Sequence, residues 1–476
     1  MAMLDPKLNR IPDNVRRVHL TAACGTAMAA LACILQELGY SVSGSDRNVY
    51  PPMSDLLAAR GIALAAGFSG ENLAYGPDLV VVGNAVSRDN PEALKLAEMG
   101  LCYCSMPQAV NHFAAAGKEV LMVCGTHGKT TTSSILAGIL HSAGLDPSFV
   151  IGGVVRDFNS NFRLGRGPHI IIEGDEYDTA FFDKESKFLH YRPVATILTS
   201  VEFDHADIFA DLAAVKRSFD KLLAGLPPQA TVFAFDADDN IDGLVADRGC
   251  RIVRYGGREE SVWRLGGVTM GPGRTDFEIF KAGRRLGLFS VPLSGRHNLY
   301  NALAAFAVAE AAGVPVDDIG RALTAFGGVK RRQEVRGVKN NITVVDDFAH
   351  HPTAVAETLA GIRSFYPGAR LIAVFEPRTN TSARDIFQDA YAKAFDTADL
   401  ICVSWPPFPE KAPEGHRFST ERLIADLNSR GKTAFGFHNA DQIVDFLIAR
   451  ACPGDLILVM SNGGFDNIHG KLMDRL

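Results

Sequence analysis

The stretch that constrains this chain most is Val120-Leu121-Met122-Val123-Cys124-Gly125-Thr126-His127-Gly128-Lys129-Thr130-Thr131-Thr132. Its five leading apolar residues predict a buried strand, and Gly125 and Gly128 a tight turn. Ile135, Leu136, Ile139 and Leu140 then form the apolar stripe of a helix that Gly144 ends. A strand, glycine turn and helix start aim several backbone N–H groups and the positive end of the helix dipole at one point, which is a phosphate cradle. Lys129 is placed to neutralise outer phosphate charge, and the Thr130 hydroxyl to hold a magnesium ion. The generic nucleotide loop has a glycine where Val123 stands; this is the shortened form Gly125-Thr126-x-Gly128-Lys129-Thr130. The bland alternative is a plain corner with a solvated lysine, and the flanking pattern favours an ATP site. Position 129 is expected on a turn rather than in the core, so that replacing the lysine leaves folding intact.

A chain of 476 residues is too long for one core and predicts about three domains. A net charge of -6 argues against a nucleic-acid surface, which needs concentrated Lys and Arg. The eight cysteines show no paired C-x-x-C signature for zinc, and reduced thiols in a cytoplasmic protein are expected. Met1 to Pro12 lacks the apolar core of a signal peptide, and no apolar run is long enough to cross a bilayer.

Taken in order, the chain opens with Val18-His19-Leu20-Thr21-Ala22-Ala23-Cys24-Gly25-Thr26-Ala27-Met28, a helix pattern to Leu38-Gly39 and a second strand ending at Asp46, a βαβ opening with Gly25 in its turn. An acidic residue some twenty positions past a turn is the dinucleotide-type layout, but only Gly25 remains of the glycine fingerprint. These residues alone fit a ligand crevice and a ligand-free small-residue turn equally well. After the phosphate loop, His169-Ile170-Ile171-Ile172-Glu173 predicts a buried strand with carboxylates at its end, where ligands gather in open parallel sheets. Glu173 is assigned a metal role; Asp175, Glu176 and Asp178 are expected to be structural or surface residues. His205, among acids after the strand Val194–Thr199, is a candidate ligand for a second magnesium. Asn298 and Asn301 lie one turn apart at the start of an alanine-rich helix, and Lys330-Arg331-Arg332 offers a guanidinium suited to a transferring phosphoryl group. A composition shift near Gly337 to Asn341 marks the expected second boundary. Beyond it, strands at 342–347, 371–375, 400–403 and 456–460 alternate with helical patterns, which predicts a further α/β sheet.

Together these segments resemble the Mur ligases over essentially the whole chain. The motifs are Gly125–Thr131, Glu173-Gly174-Asp175-Glu176, Asp204-His205, Gly295-Arg296-His297-Asn298, Arg332, and Asp346-Asp347-Phe348-Ala349-His350-His351-Pro352. The resemblance implies an α/β, three-domain architecture: a Rossmann-like UDP-sugar domain (1–116), a central P-loop ATP domain (117–336) and a Rossmann-like acceptor domain (337–476). It implies that ATP phosphorylates a carboxylate of the UDP-sugar and that an amine then attacks the acyl phosphate to form an amide. By the same resemblance, Gly125, Thr126, Gly128, Lys129, Thr130 and Thr131 bind the nucleotide phosphates. Thr130 and Glu173 hold one Mg2+ and His205 a second; Asn298 contacts adenine, Arg332 the γ-phosphate and Asp347 the ribose, while His350 lies beside the reaction centre.

Within the family, further segments resemble the branch that joins the tripeptide L-alanyl-γ-D-glutamyl-meso-diaminopimelate to UDP-N-acetylmuramate in murein recycling. They are Cys24–Met28, Val49-Tyr50-Pro51-Pro52-Met53-Ser54, Glu173–Lys184, Glu202–Phe209, Glu376–Thr381 and Ser461–Phe465. The alternative is the branch that adds L-alanine to the same sugar. Arg378, Asn380 and Arg384, with Ser461–Gly464, are the expected acceptor contacts. There are two departures: Ala22 stands where the family has glycine, and Thr199-Ser200 where it has an asparagine pair. Neither Lys216 nor Lys221 matches a family lysine that becomes carbamoylated. A nucleotide-dependent oxidoreductase leaves the ATP loop unexplained, and a non-catalytic UDP-sugar binder leaves unexplained why Lys129, Glu173 and His205 are all present.

Overall fold

Buried β-branched runs separated by amphipathic helices build parallel sheets, and the computed structural model, which describes residues 4–49 and 53–476, is made of them. The described residues fall into two compact units. One comprises Met1–Val201, Val215–Arg254 and Phe306–Val314; the other comprises Glu202–Ala214, Tyr255–Ala305 and Pro315–Leu476.

In the first unit, five parallel strands lie in the order Ala63–Ala66, Ser41–Asp46, Arg17–Thr21, Leu79–Val82, Tyr103–Ser105. Strand order reverses between Arg17–Thr21 and Leu79–Val82, and a sheet of this kind opens a crevice at that switch point. Leu79–Val82 is buried throughout. The same unit carries a second sheet, with neighbouring strands Thr231–Phe235, Pro193–Leu198, Glu119–Cys124, His169–Gly174, Ser148–Val155 and Ser160–Arg163. All but the last run parallel. Val120 to Cys124 and Ile170 to Ile172 are at most 4% exposed, as apolar runs in a sheet covered on both faces should be.

The second unit holds a six-stranded sheet in the order Glu334–Lys339, Ile342–Asp347, Leu456–Met460, Leu371–Phe375, Leu400–Ser404, Ala434–Phe437. Its last five strands are parallel. Each face has its own apolar core, one around Phe375, Tyr391 and Phe395, the other around Ile372, Ile443 and Ile457. The expected boundary near Gly337 falls inside a hairpin: Glu334–Lys339 pairs antiparallel with Ile342–Asp347 across Asn340 and Asn341, at φ 50° and 59°. Two consecutive asparagines of positive φ are turn chemistry, not a linker. Three antiparallel strands, Trp263–Gly271, Arg274–Lys281 and Arg284–Val291, also belong here and were not anticipated. The segment Tyr50-Pro51-Pro52 lies outside the described residues.

Candidate active site

The strand Glu119–Cys124 ends at a turn and the helix Lys129–Ser142 begins at once, with Gly128 as its N-cap at φ 81°. Gly125 has φ 130°, and a β-carbon there would lie 2.2 Å from Thr199 Oγ1 and 2.8 Å from the Ser200 nitrogen. Only glycine allows so close an approach. Thr199 and Ser200 are what pin the loop. Thr199 Oγ1 donates to the Cys124 and His127 carbonyls (3.1 and 2.5 Å), Ser200 Oγ accepts from the His127 N–H (2.9 Å), and Thr126 N–H donates to the Ser200 carbonyl (3.0 Å). The departure from the family's asparagine pair therefore keeps a hydrogen-bonded clamp.

Lys129 is not a solvated turn residue. Its side chain is 12% exposed and its Nζ lies 2.8 Å from Glu176, itself 1% exposed. The ammonium also donates to the Gly125 and Thr126 carbonyls, at 2.6 and 3.3 Å. Burial works against its charge, but Glu176, Asp175 and Glu173 outweigh this and raise its pKa above the ordinary lysine value. The expectation that Lys129 sits outside the core is corrected: removing it takes away the ammonium that pairs with buried Glu176. Glu176, assigned no chemistry from the sequence, is its counter-charge, and a lysine aimed into a cradle facing four acids was the signal for it. Asp175 pairs with Lys187 at 2.7 Å, and Asp178 with Lys184 at 2.6 Å.

Thr130 Oγ1 donates to Glu173 Oε1 at 3.0 Å, and the Gly152 N–H donates to Glu173 Oε2 at 2.7 Å. A β-carbon on Gly152 would press on both carboxylate oxygens at 3.1 Å. Two hard oxygens 3.0 Å apart match the edge of a magnesium octahedron, about 2.9 Å for bonds of about 2.05 Å. Thr131 is buried, 8% exposed, on the first turn of the helix.

The first five-stranded sheet carries a second corner. Ala22, at φ 67°, and Gly25, the N-cap of the helix Thr26–Glu37, form the turn after Arg17–Thr21. Asp46 accepts from the Cys24 N–H at 2.8 Å and from the Asn48 N–H at 2.9 Å, so this acid braces the turn. A cavity of about 700 Å3 opens here, lined by Gly25, Thr26, Asp46, Gly83, Asn84 and Ser87 among others. Asn161 Nδ2 donates to the Thr26 carbonyl at 3.2 Å and Asn84 Nδ2 to Asp178 Oδ1 at 2.9 Å, fixing both rims.

The remaining candidates lie in the second unit. Asp347, 5% exposed, accepts from the Gln333 and Ala349 N–H groups at 2.8 Å each. Burial pushes its pKa up, against the pull of Arg332 and these two donors. The Arg332 guanidinium lies 4.5 Å from the Phe348 ring centroid. Asn298 Nδ2 donates to the Ser294 carbonyl (2.8 Å) and Asn301 Nδ2 to Asn298 Oδ1 (3.2 Å), so both amides serve the start of the helix Arg296–Ala311. His205 has φ 54°, and its N–H donates to Asp204 at 2.7 Å. Asp204 also faces His350 Nε2 at 3.8 Å. Although burial opposes its charge, His350, His205 and His351 hold its carboxyl well below the usual range.

Three family models match successive parts of the chain: "Mur ligase family, catalytic domain" over 17–118, "Mur ligase middle domain" over 123–309 and "Mur ligase, glutamate ligase domain" over 331–463. The UDP-N-acetylmuramate–L-alanyl-γ-D-glutamyl-meso-2,6-diaminoheptandioate ligase of Escherichia coli (strain K12) is 41% identical over 97% of this chain and 98% of its own length. The chain belongs to the Mur ligase family. A UDP-N-acetylmuramate–L-alanine ligase of Clostridium botulinum (strain Langeland) is 32% identical over 95% of this chain and 96% of its own. Among solved structures, a murein peptide ligase from Psychrobacter arcticus 273-4 matches with a TM-score of 0.72 and 35% identity, covering 97% of this chain and 98% of its own. Membership makes the chain an ATP-dependent ligase of peptidoglycan metabolism with three α/β Mur ligase domains. Among the described residues, no helix is long and apolar enough to cross a membrane.

Proposed function

We propose that this Mur ligase joins L-alanyl-γ-D-glutamyl-meso-diaminopimelate to the lactyl carboxylate of UDP-N-acetylmuramate, at the expense of ATP, in cytoplasmic murein recycling. The observation that carries the ligase chemistry is the loop itself: a buried lysine on an internal carboxylate, beside a threonine–glutamate oxygen pair 3.0 Å apart. The acceptor follows from the relatives, since the tripeptide ligase is 41% identical and the alanine ligase 32%.

The three regions are assigned to UDP-sugar (1–116), ATP (117–336) and acceptor (337–476), with the hairpin from Glu334 moved into the last. The cavity beside Gly25 and Thr26 takes the UDP-sugar. The N–H groups of the Gly125–Thr130 loop cradle the ATP phosphates, and Lys129 exchanges Glu176 for phosphate oxygens. Thr130 and Glu173 would hold one Mg2+ and His205 a second; when bound, magnesium neutralises phosphate charge. Asn298, Arg332 and Asp347 are assigned to adenine, γ-phosphate and ribose. The sugar carboxylate attacks the γ-phosphorus, the bond to ADP breaks, and the acceptor amine then displaces phosphate from the acyl carbon. His350 is assigned beside the reaction centre, where the amine sheds its proton. Stabilising charge on the moving phosphoryl group is the main task of such a site.

The test offers alanine and tripeptide together at equal concentration, with UDP-N-acetylmuramate, ATP and magnesium. The tripeptide product should dominate by about a hundredfold, the value expected when two charged contacts are absent from the shorter acceptor. A dominant alanyl product would assign the chain to the alanine-adding branch.

A further inference from the structure

The expected acceptor residues are held in different ways. Asn380 Nδ2 donates to Asp207 at 2.8 Å and Arg384 Nη1 to the Ala206 carbonyl at 2.7 Å, so both tie down the 206–207 segment. Arg378 differs. Its guanidinium lies 3.4 Å from Glu376, whose other oxygen is taken by Ser461 Oγ at 2.5 Å. It also stands 4.8 Å from the centroid of the Phe408 ring, and Lys411 Nζ stands 4.8 Å from the same centroid. Lys411 donates only to the Arg378 carbonyl, at 3.3 Å, and has no carboxylate partner among the described residues. Burial and the neighbouring Arg378 charge depress its pKa, against the pull of Glu410, Asp207 and Glu376.

Two cations share one aromatic ring while Glu376 pairs with Arg378 alone, so a further anion beside them relieves the remaining repulsion. The arrangement is built rather than incidental. Trp405, at one end of the loop, stacks on His438 at 4.4 Å and donates to Glu421 at 3.1 Å; Ala412, at the other, is 3% exposed. Gly463 lies directly under Arg378, where a β-carbon would come within 2.3 Å of its Cδ and Nε. The turn holding Gly463 is itself fixed by Arg331, which donates to the Ser461 and Gly463 carbonyls at 2.6 Å each.

We infer that Arg378 and Lys411, mounted on Phe408, form the subsite that recognises a carboxylate of the acceptor peptide beyond its first residue. The inference rests on the tripeptide reading above and names the residues that enforce it. A guanidinium fork with an adjacent ammonium suits a planar carboxylate, which alanine lacks beyond its own α-carboxylate. Binding energy from a part of the acceptor remote from its amine selects between acceptors.

The test measures the ratio of specificity constants, tripeptide over alanine, in wild type, Arg378→Ala, Lys411→Met and Gly463→Ala. The Gly463 variant displaces Arg378 without deleting its charge, and the KM for UDP-N-acetylmuramate serves as the folding control. Each substitution should lower the ratio by about tenfold or more, mainly through the tripeptide KM. A tripeptide amidated at the distal carboxylate should lose the same factor with wild type and little more with Lys411→Met. A wild-type preference for tripeptide that survives all three substitutions would overturn the inference alone. A wild-type preference for alanine would overturn the tripeptide reading, and the inference with it.

Discussion

The chain builds a strand–turn–helix corner twice, once at Thr21–Thr26 and once at Cys124–Lys129, and the two are filled differently. The first has no lysine in its turn and opens on a cavity of about 700 Å3. The second has Lys129 folded across it, bonded to two of its own carbonyls and to buried Glu176. A corner that carries a buried cation needs a counter-charge, and Glu176 provides it. The first corner has its cations, Arg47 and Lys187, in the lining of the cavity rather than in the turn. The backbones differ to match: Gly125 is pressed against Thr199 and Ser200 with no room for a β-carbon, whereas Ala22 keeps its methyl at φ 67°.

Breaking the second corner's charge should have the largest effect. Lys129→Ala should reduce kcat by about a hundredfold to a thousandfold, the value of a charge lost from a transition state. It should also cost about 3–5 kcal/mol of stability by breaking the buried ion pair with Glu176. Urea unfolding of Lys129→Ala/Glu176→Gln should recover most of that stability while the rate stays low. Recovery of rate along with stability would reduce Lys129 to a structural residue.

Next is Gly125→Ala, where overpacking and a strained backbone together should cost about 3 kcal/mol and most of the ATP turnover. Thr199→Val removes the hydroxyl that clamps Cys124 and His127. A loss of about 1–2 kcal/mol is expected, with a raised KM for ATP and little change in that for UDP-N-acetylmuramate. If both KM values rose equally, the clamp would not belong to the second corner alone. The smallest effect should be Ala22→Gly. Relief of left-handed strain, about 1 kcal/mol, is nearly offset by the freer unfolded chain, about 0.4–1 kcal/mol. A melting temperature within a few degrees of wild type is the expected reading.

The corners were legible because their signals are local: an apolar run, two glycines and a helical stripe within Val120–Gly144. What stayed hidden depends on partners far apart in sequence. Thr199-Ser200 reads as a departure from a family pattern until its bonds to Cys124, Thr126 and His127 are seen. Glu176 reads as one of four acids in a loop until Lys129 meets it. The strands Trp263–Lys281 were missed because Gly266 and Gly267 interrupt alternation at a register shift. The hairpin at Asn340-Asn341 was taken for a boundary because turn residues and linker residues share a composition.

The most direct test of the central claim follows oxygen. UDP-N-acetylmuramate labelled with 18O in its lactyl carboxylate is turned over with ATP, magnesium and tripeptide, and the inorganic phosphate is weighed by mass spectrometry. If ATP captured at the Lys129 corner activates the sugar carboxylate, one labelled oxygen per amide formed should appear in phosphate. Unlabelled phosphate alongside normal amide formation would contradict it.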